Sequence, residues 1–145
     1  MSLLLKLSLI LTFAFSFTNL QLVTAWSATP AVYQVSIENG LSDSTLWVHC
    51  KSGDSDLGLH MISRKGNFSW VFKTSLWRQT LCFCGLTWDY HGRKVFDAFI
   101  DKEDFVDKKC GGRHCFWKAI DDGIYLYNIW KHKLIKRYMW DKYIK

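Results

Sequence analysis

Five stretches of this chain, VYQVSIEN, STLWVHCK, NFSWVFK, QTLCFCGLTW and KVFDAFI, alternate apolar and polar residues with a period close to two. That period puts every second side chain on one face, which describes a strand with one buried side and not a helix. Each run is bounded by Gly, Asn, Asp or Ser. The turn signals are Asn39-Gly40, Gly53-Asp54, Lys65-Gly66-Asn67, His91-Gly92, Gly111-Gly112 and Asp121-Asp122-Gly123. These residues tolerate positive φ or bond their own backbone. Short strands recurring at roughly ten-residue intervals predict an all-β fold, a small antiparallel sandwich or barrel. Helix is expected only over Asp101 to Lys109, about two turns of it.

The C-terminal YLYNIWKHKLIKRYMWDKYIK admits two readings. As a helix it would gather Trp130, Leu134, Tyr138 and Met139 on one side among cations, in the manner of a membrane-surface helix. Its Tyr, Ile and Trp content favours strands. The expectation is therefore a hairpin, Ile124 to Trp130 and Leu134 to Trp140, turning at Lys131-His132-Lys133.

Residues 1–25 read as a secretory signal peptide, with Lys6 near the start, an apolar run from Leu7 to Phe17, and Val23-Thr24-Ala25 at the cleavage point. The run is shorter than the about 20 residues that span a bilayer. The expected mature chain, 26–145, is then one exported domain. With a single Pro and no repeat or low-complexity stretch, no linker divides it. Losing Lys6 takes one from the 19 Lys+Arg, set against 13 Asp+Glu. The cations are interspersed with acids apart from a cluster at the C-terminus, and an exported chain meets glycans and cell surfaces before nucleic acid. Nucleic acid is not an expected partner.

Compartment also decides the reading of Cys50, Cys82, Cys84, Cys110 and Cys115. In a reducing cell, C-x-C and C-x4-C with His114 would suggest zinc. In an oxidising space they suggest disulfides. No motif sets a His against a Cys as base, so neither a metal, a cofactor nor catalysis is expected. The D-x-D of GDSDLG (Gly53 to Gly58) has Leu57 where a calcium loop needs its turn Gly, and reads as a solvated turn. Asn67-Phe68-Ser69 is an N-glycosylation sequon on an expected exposed turn.

LWVHCKSGDSDLGLH (Leu46 to His60), FSWVF (Phe68 to Phe72), FCGLTW (Phe83 to Trp88), CGGRHCFW (Cys110 to Trp117) and DDGIY (Asp121 to Tyr125) follow one another in an order that resembles the plant self-incompatibility S-protein homologue family. The resemblance runs from about Val35 to Trp140. It implies a β-sandwich of about eight strands with two disulfides among Cys50, Cys84, Cys110 and Cys115. Cys82 is then the odd thiol: two residues from Cys84 on one strand face, it could compete for that residue's partner or pair with another molecule, and the expected state is a free buried thiol. Four cysteines allow three pairings, and sequence alone does not choose among them. A bridge between Cys110 and Cys115 would close a tiny ring, whereas loops of tens of residues are worth roughly 3–4 kcal/mol each. The pairing expected on that ground ties Cys50 and Cys84 each to one of Cys110 and Cys115.

The resemblance implies a secreted, non-enzymatic signalling or recognition protein, a monomer recognised by a cell-surface receptor. Recognition is expected on loops: Asp54 and Asp56, and Lys102, Glu103, Asp104, Lys108 and Lys109. Plain solvation would account for the same charges. Two other classes stand beside this one. A carbohydrate or cell-wall module would need two or three Trp rings exposed together, and burial of Trp47, Trp70, Trp88 and Trp117 would exclude it. A membrane-active defence protein would use the basic aromatic tail, Lys131 to Lys145, without stable membrane insertion.

Overall fold

The structure, a computed structural model, describes residues 2–7, 29–53 and 55–142. Of the expected leader only residues 2–7 are included, and the boundary at 25, like Asp54, lies outside the described residues.

Nine strands form two sheets among the described residues. They are β1 Val32–Asn39, β2 Leu46–Ser52, β3 Ser55–Ile62, β4 Asn67–Lys73, β5 Leu81–Trp88, β6 Gly92–Ile100, β7 His114–Ile120, β8 Gly123–Asn128 and β9 Lys133–Tyr138. One sheet is ordered β4-β1-β7-β8-β9 and the other β3-β2-β5-β6. The C-terminal segment is the expected hairpin, β8 pairing antiparallel with β9. The short helix is shifted and of a different kind, a π-helical turn over Asp104–Cys110.

Two expectations are corrected. β1 pairs with β7 in parallel, Gln34 opposite His114 and Asn39 opposite Ala119, so the sandwich is not wholly antiparallel. A parallel pair needs a long crossover, and here β2 to β6 supply it, β4 and the whole of the four-stranded sheet together. The segment read as a solvated turn at GDSDLG is instead mostly strand, because β3 begins at Ser55 and runs against β2.

The period of two becomes the core. Val35 and Ile37 of β1, Val48 and Cys50 of β2, Cys82, Cys84 and Leu86 of β5, and Trp117 and Ala119 of β7 are all buried between the sheets. Trp117 also joins them by a polar contact, its indole N–H donating to the Ala98 carbonyl at 2.9 Å. A buried indole needs that partner, so the ring fixes the spacing of the layers as well as filling it. Buried Asn39 ties the β1–β2 connection to β3: its amide donates to the carbonyls of Ser44 and Ile62, and its oxygen accepts from Leu41 N–H.

Candidate recognition surface

The strand register sorts the connections onto two ends. Ser52 lies opposite Cys82, Leu81 opposite Ile100, Val32 opposite Lys73, Gln34 opposite His114, and Asn128 opposite Lys133. One end of the sandwich therefore carries the β2–β3 turn, residues 74–80, residues 101–113 and the β8–β9 turn. Lys102, Glu103, Asp104, Lys108 and Lys109 all lie there, and all are exposed.

Local bonding makes the 101–113 segment a fixed feature. Lys102 carbonyl accepts the N–H groups of Phe105 and Val106, and Val106 carbonyl accepts those of Gly111 and Gly112. Phe105, Val106 and Cys110 are the buried anchors. Gly111 ends the turn with φ 79°, a left-handed conformation that favours glycine. A Cβ there would also stand 3.0 Å from the Trp130 ring.

The neighbouring hairpin holds the segment from outside. Asn128, itself buried, donates from its side-chain amide to the carbonyls of Lys108 and Lys109. Trp130 donates its indole N–H to Asp107 carbonyl at 3.0 Å. Asp104 pairs with Lys108 one turn on; that bond and charge hold the carboxyl below its ordinary range and the ammonium above. Lys109 lies over the Phe105 ring at 5.2 Å. The expected charges are thus presented outward from a backbone that is bonded inward.

Asp56 behaves otherwise. It lies on β3, not on a free loop, and accepts from Gly58 N–H at 2.9 Å, His49 Nε2 at 2.6 Å and Lys51 Nζ at 3.2 Å. The Gly58 bond first, then His49, bring its pKa from 3.8 to about 2. Its lone pairs are largely committed to the hairpin. The loop 74–80 carries a feature the sequence reading missed. Ser75 Oγ accepts from the N–H groups of Trp77 and Arg78, and Trp77 stands 92% exposed. Loss of alternation after Lys73 and the polar SLWRQT run were the available signals.

The cysteine pairing differs from the expected one. The bridges are Cys50–Cys84 and Cys110–Cys115. Cys50 and Cys84 are direct partners on adjacent strands, with Cα atoms 4.1 Å apart, whereas Cys115 belongs to the opposite sheet. Facing residues of an antiparallel pair approach to about 4.5 Å at non-bonded positions, so register brings these two together. Gly111 and Gly112 let the chain fold back so that Cys110 meets Cys115, Cα atoms 4.9 Å apart. Cys82 is free and buried, donates to Ser52 Oγ at 3.1 Å, and has its thiol pKa raised by burial. Such a thiol is chemically quiet.

Trp47, Trp70, Trp88 and Trp117 do not form an exposed platform for a carbohydrate. Trp117 is buried, and Trp70 and Trp88 are partly buried against the core. Trp47 is half-buried on β2. Asn67 opens β4 at the sheet edge, exposed, rather than sitting in the turn that precedes it.

A family model described as plant self-incompatibility protein S1 matches residues 34–140. The chain is similar to S-protein homolog 24 of Arabidopsis thaliana, 35% identical over 112 residues that cover 77% of this chain and 69% of the relative. S-protein homolog 28 of the same plant is 37% identical over 65% of this chain, which spans only 59% of that relative's length. S-protein homolog 3, also from Arabidopsis thaliana, is 32% identical over 92% of this chain and 87% of its own. Among solved structures there is a match to an SPH (self-incompatibility protein homologue) protein, one of a widespread family of small, highly stable, secreted plant proteins. Its TM-score is 0.48 at 18% identity, covering 76% of this chain and 90% of the other.

Proposed function

The chain belongs to the plant self-incompatibility protein S1 family, and from that premise we propose that it is a secreted, non-enzymatic recognition protein bound by a receptor on the cell surface. The mature protein is the monomeric domain 26–145, released from its leader and carrying a glycan on Asn67. Two bridges between buried cysteines suit an oxidising space outside the cytosol.

One observation carries the recognition reading. Residues 101–113 hold exposed charges of both signs on a backbone pinned by Asn128, by the Cys110–Cys115 bridge and by the Trp130 bond to Asp107. Preorganised loops bind with little ordering cost, and a rigid frame under them is the usual arrangement for a ligand read by another protein. Lys102, Glu103 and Lys109 are the best placed, since Asp104 and Lys108 partly satisfy each other.

The test is saturable binding of labelled mature protein to intact plant cells of the producing species. Binding should fall at least tenfold with the combined variant Lys102→Glu, Glu103→Lys and Lys109→Glu, the loss of about 1.4 kcal/mol. It should vanish when the cells are first treated with protease. Binding that survives protease would remove the receptor, and binding that ignores the variant would move recognition away from this segment.

A further inference from the structure

The charge of this chain is concentrated. Residues 131–145 hold six Lys or Arg and one Asp, whereas residues 1–130 hold 13 and 12 and nearly balance. Part of the excess is neutralised where it stands. Lys136 lies 2.8 Å from Asp122, and Asp141 is taken by Lys94 at 2.8 Å. Lys131 and Lys133 have no carboxylate partner among the described residues.

These two lysines flank the β8–β9 turn, which is also where apolar side chains project. Trp130 is 71% exposed, Ile129 38% and Leu134 37%. The turn is sharp, with His132 at φ 49° and its N–H reaching Ile129 carbonyl. It is also braced. Asn128 Oδ1 accepts Lys131 N–H at 2.8 Å, Ile129 N–H donates to Cys110 carbonyl, and the Trp130 indole nitrogen is already satisfied by Asp107 carbonyl. The ring can therefore leave water without stranding its polar atom.

An exposed indole beside aliphatic side chains, bracketed by lysines with no carboxylate partner among the described residues, matches the boundary of an anionic bilayer. Trp partitions to the headgroup level, Lys stems run along apolar surface while the ammonium stays with phosphate, and each cation near the surface adds attraction. We propose that the β8–β9 turn is a docking tip for anionic phospholipid surfaces, with Trp130 and Ile129 at headgroup depth and Lys131 and Lys133 on the phosphates. The contact is peripheral and reversible. It goes beyond receptor recognition and does not depend on it, since protein-free vesicles suffice to read it.

The probe is co-sedimentation of the folded mature protein with phosphatidylserine–phosphatidylcholine vesicles, against vesicles of phosphatidylcholine alone. The protein should partition onto the first and not the second, and less as salt is raised. Lys131→Gln with Lys133→Gln should lower the partition coefficient about 30-fold, roughly fivefold per cation. Arg64→Gln with Lys65→Gln, the same charge change at the opposite end, should stay within about twofold. Trp130→Ser should weaken binding and Trp130→Tyr should restore much of it, with thermal unfolding confirming that each variant is folded. The proposal is overturned by an absence of binding to the anionic vesicles, or by equal losses from the two charge pairs. Capture by polygalacturonate without capture by vesicles would overturn it too, making the tip a site for an acidic polysaccharide.

Discussion

Asn128 grips Lys108 by its main chain: the buried side-chain amide donates to Lys108 carbonyl at 2.8 Å and to Lys109 carbonyl at 3.1 Å, while its oxygen holds Lys131 N–H. One side chain thereby locks the π-helical segment to the β8–β9 turn. Asn128→Ala leaves three backbone groups without their partner, and an unsatisfied buried group costs about 1–3 kcal/mol. The expected loss is about 3 kcal/mol by urea unfolding. Amide hydrogen exchange should quicken at Lys131 first. Unchanged exchange there would show that the bracket is not what orders the turn.

The two disulfides are expected to contribute unequally. Cys50–Cys84 spans a sequence separation of 34 and Cys110–Cys115 one of 5. In the chain-entropy model these correspond to about 4 and about 2 kcal/mol. Cys50→Ala with Cys84→Ala should therefore lower unfolding stability more than Cys110→Ala with Cys115→Ala. Loss of the second bridge should instead show as faster exchange confined to residues 101–113. Peptide mass mapping should return these two pairs and an alkylatable Cys82 only after unfolding.

Asp56 predicts a pH dependence. Its pKa in the fold is about 2, below the 3.8 of the free side chain, because Gly58 N–H, His49 and Lys51 favour the carboxylate. A lowered pKa means stability that is present above 3.8 and lost as pH falls through about 2. Asp104, Asp121 and Asp122 are lowered in the same direction. The stability difference between the protein and its Asp56→Asn variant should be constant above that window and close within it. A difference that persists at the acid end would assign the effect to packing.

Asn67→Gln should remove one glycan from the protein expressed in plant cells, read as a mass shift matching that of peptide-N-glycosidase treatment. Asn67 is exposed at the start of an edge strand, so stability should change by no more than about 0.5 kcal/mol. Ser69→Ala abolishes the same sequon but also removes the Ser69 hydroxyl that donates to Ser36 Oγ at 2.6 Å. It should cost more, about 1 kcal/mol.

The features legible in the sequence are those that depend on near neighbours. VYQVSIEN and NFSWVFK coincide with β1 and β4, and the C-terminal turn falls where Lys131 and His132 place it. β3 is hidden because Asp56 and Gly58, the latter at φ 81°, break the alternation of SDLGLHMI. The pairing of Cys50 with Cys84 follows from which strands lie side by side, a property of topology that spacing does not encode. Chain entropy disfavours a Cys110–Cys115 ring, yet it forms because two glycines and a π-turn bring the ends together. Nothing in the sequence marks Asn128, since its partners Lys108 and Lys109 lie about twenty residues earlier and only the fold brings them within reach.

The parallel pairing of β1 with β7 bears on how the molecule is made. β1 is an interior strand of its sheet, lying between β4 and β7, and its partner Cys115 for Val35 is eighty residues further along the chain. Contacts so remote in sequence slow folding, because the loop must close before the pairing rewards it. During synthesis β1 can meet β4 early, but its other edge stays unpaired until β7 has emerged. The Cys50–Cys84 crosslink can form in that interval, since both its strands precede β7. A chain cut short before residue 114 would be left with an open interior edge of the kind that recruits other chains into aggregates.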